Sequence, residues 1–236
     1  MNISWRLIQP NLAEIKWPNA ISVDILEEQI TLKNALLEQN RMIIYEIRMG
    51  YHTLSILFAK EMKGSELNSI IDSLQITNLS LCPYNPKKWL VPVCYHTSLA
   101  QDLGKFCVSK GLDLEDLIHM HTSQEYKLHF YGFLPGFMYL GGLDKRLHFP
   151  RKSNPDIYVP AGSVGIGGEQ TGIYPMPSPG GWHIIGRSPL KFFDLRFNPP
   201  VIPDQGDYII FESVSVSDYE LIAKEVSEGQ YIWKNA

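Results

Sequence analysis

The chain of 236 residues is short of several things, and each shortage excludes a class of protein. It has 3 cysteines, Cys82, Cys94 and Cys107, an odd number at wide spacing. They form neither a CxxC metal knuckle nor a disulfide framework, which fits a reducing compartment. Basic charge is scarce: Lys+Arg 21 against Asp+Glu 25 gives a net charge of −4, with no long Lys/Arg run. Nothing in that balance invites nucleic acid. No stretch approaches the roughly 18 apolar residues of a membrane span, and the start, MNISWRLIQPNLAEIKW, has no apolar h-region or small-residue cleavage site. The expectation is a cytoplasmic protein with no nucleic-acid or membrane partner. Glycine is scarce too, but only at first: Gly50 and Gly64 are alone before Asn85.

The chain is 44% hydrophobic and 19% charged, enough for a folded core in one large domain or two small ones. Of its 18 glycines, 12 lie between Gly132 and Gly186, and 8 of its 16 prolines lie between Pro135 and Pro189. The composition therefore divides the chain into a small α+β domain over 1–84 and a β-rich domain over 85–236, joined at CPYNPKKW. Asn2–Leu7 and Leu12–Trp17 read as strands around a Gln-Pro-Asn turn. Val23, Leu26, Ile30 and Leu37 predict a helix over Ser22–Gln39, and Leu67, Ile70, Ile71 and Leu74 predict a second. Between them RMIIYEIR and YHTLSILF form a hairpin. Further on, two short helices are expected at Asp102–Lys110 and Asp113–Met120, the second capped by Asp113. Strands follow from Tyr126, and the runs WHIIG, LKFFDLRF and DYIIF, parted by Gly/Pro loops, suggest a closed or partly closed barrel or a sandwich. Asp218–Glu228 returns to helical spacing.

The densest glycine stretch is GSVGIGGEQTG, Gly162–Gly172. A phosphate loop needs N–H groups converging at the start of a helix. This stretch lacks the Gly-Lys-Ser/Thr ending, lacks GxGxxG spacing, and runs into IYPMPSPGG, whose prolines cannot open a helix. Close approach of another backbone or a ligand is the better use of its glycines. His119 and His121, two apart on a helix, cannot share an ion, so no metal site is expected. His121 continues the apolar face of Leu114, Leu117 and Ile118, which suits a hydrogen-bonding or proton-transfer residue at the inner helix end. Ser163 sits between glycines but has no GxSxG elbow, and a serine triad with distant partners stays open. Cys94 and Cys107 read as core residues. GFLPGFMYLGGL and SPGGWHIIGRSP combine aromatics with turns. Ser163, Gln170 and Arg187 beside such walls suit a small polar ligand.

At this point the sequence resembles a known family. HTSQEYKLHFYGFLPGFMYLGGL and VPAGSVGIGGEQTGIYPMPSPGGWHIIGRSPLKFFD are similar to the carboxyltransferase-domain subunit family in its first-subdomain branch. Its members include the B subunit of 5-oxoprolinase, allophanate hydrolase subunit 1, the Kip-type kinase inhibitor and a segment of urea carboxylase. The resemblance covers most of the chain. It implies a ferredoxin-like α+β domain followed by a cyclophilin-like β-barrel. It implies an ATP-dependent lactam hydrolase complex that opens 5-oxo-L-proline to L-glutamate, inactive without its partners: a second cyclophilin-like, C-type subunit and a larger A-type subunit. ATP is expected to act at the level of the complex and not in this chain's glycine stretch.

Carried over residue by residue, the resemblance matches its motifs to His121, Ser163 and Gln170, for which catalytic roles are inferred, with Ser163 and Gln170 also suited to binding the lactam or its carboxylate. Phe133, Pro135, Gly136, Tyr139, Gly162, Thr171, Tyr174, Gly180, Gly181, Trp182 and Arg187 are expected to bind substrate. Backbone N–H groups of the glycine loops would form an oxyanion site, with Arg187 as counter-charge to the substrate carboxylate. The chain departs from the family at Met138, Gly168 and HTSLA after VPVCY, and it has no biotin-attachment Met-Lys-Met sequence. Two other functions are compatible with the same resemblance: binding and inhibiting a sensor histidine kinase, and an allophanate hydrolase or urea carboxylase role.

Overall fold

The structure, a computed structural model, describes residues 1–75, 80–81 and 84–236. Cys82 and Pro83, the first two residues of the expected linker, lie outside the described residues. The chain divides into two compact units, Met1–Asn85 and Pro86–Ala236. No helix among the described residues is long and apolar enough to cross a membrane.

The first unit runs β1 (Ser4–Gln9), β2 (Leu12–Lys16), α1 (Val23–Asn40), β3 (Ile44–Met49), β4 (Thr53–Phe58) and α2 (Gly64–Ser73). Its antiparallel sheet has the order β1-β2-β4-β3. Alternation along β4 buries Leu54, Ile56 and Phe58, the inward face that period 2 demands. Ser22 caps α1 by accepting the Asp24 N–H at 3.1 Å, and the helix buries Leu26, Ile30, Leu32 and Leu36. The expected ferredoxin-like unit needs one correction. Its chain order would be βαββαβ, whereas here two strands precede the first helix. The tight turn at Pro10–Asn11, between paired Gln9 and Leu12, joins β1 directly to β2. The strand neighbours are those of a ferredoxin-like sheet begun at another point in the circuit.

The second unit contains β5 (Lys88–Val93), α3 (Leu103–Lys110), α4 (Leu114–Thr122), β6 (Glu125–Tyr131), β7 (Met138–Gly141), β8 (Asp156–Val159), β9 (Ser163–Gly167), β10 (Gln170–Ile173), β11 (Ser178–Gly180), β12 (His183–Arg187), β13 (Tyr208–Ser213), α5 (Val216–Ser227) and β14 (Lys234–Asn235). Asp113 caps α4 as expected, accepting the Asp116 N–H at 2.7 Å. One eight-stranded sheet has the order β12-β9-β10-β7-β6-β13-β5-β14, and β8 pairs with β11 in a separate ribbon. One face covers a core that includes Val91, Tyr126, Leu128, Leu140, Val164, Ile166 and Phe211.

The expected cyclophilin-like barrel is not closed by a ladder. The two sides meet at a single bridge, Cys94 to Arg187, with N–H···O bonds of 2.9 and 3.1 Å. The reason lies in β5. Its first half already pairs with β14 through Trp89 and Leu90. Pro92 has no N–H to offer, so only Cys94 is left to meet β12. LKFFDLRF also departs from expectation: it forms no strand. Asp194 folds the run back on itself by accepting the Arg196 N–H at 3.1 Å through its side chain and the Phe197 N–H at 3.1 Å through its carbonyl.

Candidate functional site

The glycine stretch forms a β-hairpin. Gly167 and Gln170 pair across a turn at Gly168 and Glu169. Its two faces carry different chemistry. Val164, Ile166, Thr171 and Ile173 point into the core, while Ser163, Gly165, Gly167, Gln170 and Gly172 alternate onto the outer face.

Under the inner face lies His121, fully buried at the end of α4. Its Nδ1 is 2.7 Å from the Tyr95 hydroxyl and its Nε2 3.0 Å from Thr171 Oγ1. Thr171 donates its own proton to the Gly165 carbonyl at 3.0 Å, so toward His121 it acts as acceptor. That fixes the tautomer: Nε2–H donates to Thr171, and Nδ1 accepts from Tyr95. The ring stacks on Phe211 at 4.7 Å between centroids. Burial lowers the His121 pKa to about 3, so it is neutral at physiological pH. The chain Tyr95, His121, Thr171, Gly165 ties the end of β5 through α4 to the hairpin. In this conformation His121 and Thr171 touch no solvent and hold the hairpin from beneath.

The outer face carries an aromatic cluster. Phe137 is its hub, with ring centroids 4.9 Å from Tyr139, 5.0 Å from Tyr174, 5.4 Å from Trp182 and 5.6 Å from Phe133. The glycines make this cluster possible: a Cβ at Gly167 would lie 2.6 Å from the Trp182 ring. Gly180 lets the chain pass the Tyr174 hydroxyl, whose pKa burial raises to about 12, and Gly181 follows beside Pro155 and leads into Trp182. Pro135 and Gly136 form the turn between Phe133 and Phe137. Phe133 is 61% exposed and has a φ of 64°, a conformation bulky residues rarely adopt. Arg151 places its guanidinium 5.6 Å from the Trp182 ring centroid, a cation over an aromatic face. Gln170 lies at the end of this face, and its Oε1 is buried without a hydrogen-bond partner among the described residues.

Gly162, Ser163 and Arg187 lie at the other end of β9. Arg187 pairs with Ser163 across the strands. From Ser163 to Gly167, the partner of Gln170, is four residues, or roughly 13 Å. The sequence pattern grouped Gln170 and Arg187 around one small ligand; in the fold their backbone positions lie at opposite ends of β9, and Arg187 turns its Nε to the Ala161 carbonyl. The fold also leaves no oxyanion or phosphate cradle in the hairpin. The Gly162 N–H bonds Tyr174 O and the Gly168 N–H bonds Phe149 O, both at 2.7 Å, and the other glycines lie in the ladder. No helix follows, so these residues do not fit a nucleotide phosphate.

Sequence reasoning missed Arg151, which stands in PRKSNP as one cation in a polar loop. The loop is held by Lys152, whose ammonium bonds Asp102 at 2.7 Å and also Asp156. Asp102 in turn accepts the Ile184 N–H of β12 at 2.7 Å. The only local signal is the pair of cations between prolines.

Residues 4–202 match the family described as carboxyltransferase domain, subdomain C and D, and the chain belongs to that family. Among its relatives is the 5-oxoprolinase B subunit of Bacillus subtilis (strain 168), 44% identical over 135 residues, which are 57% of this chain and 56% of that protein. The Haemophilus influenzae (strain ATCC 51907 / DSM 11121 / KW20 / Rd) protein of the same name is 36% identical over 173 residues, 73% of this chain and 81% of its own length. The similarity to the Bacillus protein thus spans little more than half of that relative. In fold alone, the urea carboxylase of Kluyveromyces lactis superposes with a TM-score of 0.80 at 17% identity, over 99% of this chain and 24% of that one.

Proposed function

We propose that the chain is the B-type subunit of a 5-oxoprolinase complex that opens 5-oxo-L-proline to L-glutamate with ATP hydrolysis, and that it holds the lactam on its outer aromatic face. The relatives that carry the name of a 5-oxoprolinase B subunit support the first part. The observation that carries the second is the Gln170 Oε1, an acceptor buried without a partner among the described residues, beside the aromatic cluster. A buried orphan acceptor calls for a donor, and a lactam supplies one in its N–H. Trp182 and Tyr139 form an apolar wall for the flat ring. Arg151 supplies the charge for the carboxylate.

In this reading the chain binds and orients; it does not phosphorylate. ATP acts on a partner of C type or on the larger partner of A type, because the hairpin here has no free N–H cradle. The complex is cytoplasmic, in keeping with the free thiols of Cys94 and Cys107. Ring opening requires water at the activated carbonyl. Gln170 would hold the N–H end of the lactam, keeping that carbonyl turned toward the partner.

The test is 5-oxoproline-dependent ATP hydrolysis by the chain alone and by its mixture with C-type and A-type subunits. Activity is expected only in the mixture. There Gln170→Ala lowers kcat/KM by about tenfold or more, and Arg151→Ala raises KM for 5-oxoproline. Full activity in both variants removes the seat proposed here. An assembled complex with no 5-oxoproline-dependent turnover sinks the whole reading, and inhibition of a sensor histidine kinase by the chain alone would then replace it.

A further inference from the structure

The seam where β5 meets β12 carries chemistry that the lactam seat does not use. Cys94 pairs with Arg187, and Arg187 pairs with Ser163. Directly paired residues of antiparallel strands share a face. The neighbours confirm which face: Val93, Tyr95 and Val164 point into the core, so Cys94, Arg187 and Ser163 form a cross-strand row on the outside. The Ser163 hydroxyl is fully buried and has no hydrogen-bond partner among the described residues. Half-buried Arg187 uses its Nε on the Ala161 carbonyl at 2.9 Å, and no carboxylate pairs with it among the described residues. Its two Nη groups remain, the edge that suits a carboxylate's two oxygens.

The Val214 N–H bonds the Val93 carbonyl at 3.0 Å, so the chain leaves β13 beside Cys94 and enters α5 there.

We propose that Arg187 and Ser163 form a subsite for a small carboxylate, distinct from the lactam seat. The carboxylate bridges the Arg187 Nη edge, and the Ser163 hydroxyl gains the acceptor it lacks. Cys94 sets the floor of the row and takes no part in chemistry. One guanidinium offers one positive charge in a planar fork, which favours a planar monoanion. The row lies roughly 13 Å along β9 from the Gln170 position. The subsite does not depend on the lactam seat.

The test is modification of arginine by phenylglyoxal on the full chain, followed residue by residue by mass spectrometry. Sodium acetate is expected to slow Arg187 labelling about fivefold or more, while sodium chloride at equal ionic strength and neutral 2-pyrrolidinone do not. Ser163→Ala, with no volume to repack, should raise the half-protecting acetate concentration about five- to tenfold. Gln170→Ala should leave protection intact. If acetate does not slow Arg187 labelling in the unmodified sequence, the subsite does not exist. If Gln170→Ala abolishes protection, the two sites are one and the separation is wrong. Absence of 5-oxoproline turnover in the assembled complex bears on the lactam seat and leaves this result untouched.

Discussion

The two faces of the β9–β10 hairpin both carry polar groups and treat them in opposite ways. On the inner face, Tyr95, His121, Thr171 and the Gly165 carbonyl satisfy one another in a chain with a fixed direction. On the outer face, Ser163 Oγ and Gln170 Oε1 are buried with no partner among the described residues. A closed network in a core rigidifies and is costly to break; a buried orphan already carries its desolvation penalty. The inner face therefore reads as scaffold, and the outer face carries the unpaired groups on which both proposals above rest, although the sequence reading placed roles on both without distinction.

The sharpest way to break that comparison is at the backbone the two faces share. Gly162 has a φ of 78°, and a Cβ there would lie 2.1 Å from the Ser188 carbonyl oxygen. That oxygen belongs to the chain just after β12, so the clash cannot be relieved by a side chain swinging away. Gly162→Ala is expected to cost about 3–5 kcal/mol, combining the left-handed backbone with overpacking. Chemical denaturation would report it as a lower midpoint at unchanged slope. A midpoint equal to that of the parent chain would mean the hairpin has more freedom than its register suggests.

The next test probes the scaffold beneath the hairpin by pH. Burial lowers His121 to about 3, and burial with Lys127 nearby lowers His129 to about 4. Both folded values lie below the unfolded one near 6.5. The unfolded chain therefore binds protons that the folded chain does not, and stability falls as pH drops from about 6.5 toward 4. Each group contributes up to about 1.4 kcal/mol per pH unit in that window. In His121→Phe the slope should fall by up to about 1.4 kcal/mol per pH unit, whatever the variant's stability at pH 7. An unchanged slope would show that His121 charges without unfolding.

Much of this contrast could be read in the sequence, and the remainder had physical reasons for being hidden. Helical spacing placed His121 inward, and the cap Asp113 marked a helix start, because both signals are local. The prolines after Gly172 ruled out a phosphate loop, again from neighbours in the chain. The partner of His121 is 50 residues away on a strand, and no period connects them. The opening of the expected barrel depends on β14, a strand of 2 residues too short to show alternation. Arg151 looked like loop charge because its contact, the Trp182 ring, arrives from a distant glycine-rich segment. Gln170 and Arg187 looked like neighbours in one site, since a motif gives residue identity but not distance along a strand.

The smallest expected changes in stability sharpen the comparison most. Thr171→Val preserves shape but removes the acceptor for His121 Nε2–H and the donor to Gly165 O, at a cost of about 1–3 kcal/mol. Ser163→Ala and Gln170→Ala remove groups that the fold leaves unpaired. Losing an orphan relieves a penalty, so both should lie within about 0.5 kcal/mol of the parent chain or be slightly more stable. The three midpoints, measured side by side in denaturant at pH 7, make a direct ranking. If Ser163→Ala costs as much as Thr171→Val, the Ser163 hydroxyl has a partner in solution, such as a bound water, and the carboxylate subsite loses its main support. If Gln170→Ala is neutral in stability while the complex loses turnover, the outer face has the property expected of a binding surface: its side chains matter for the ligand and not for the fold.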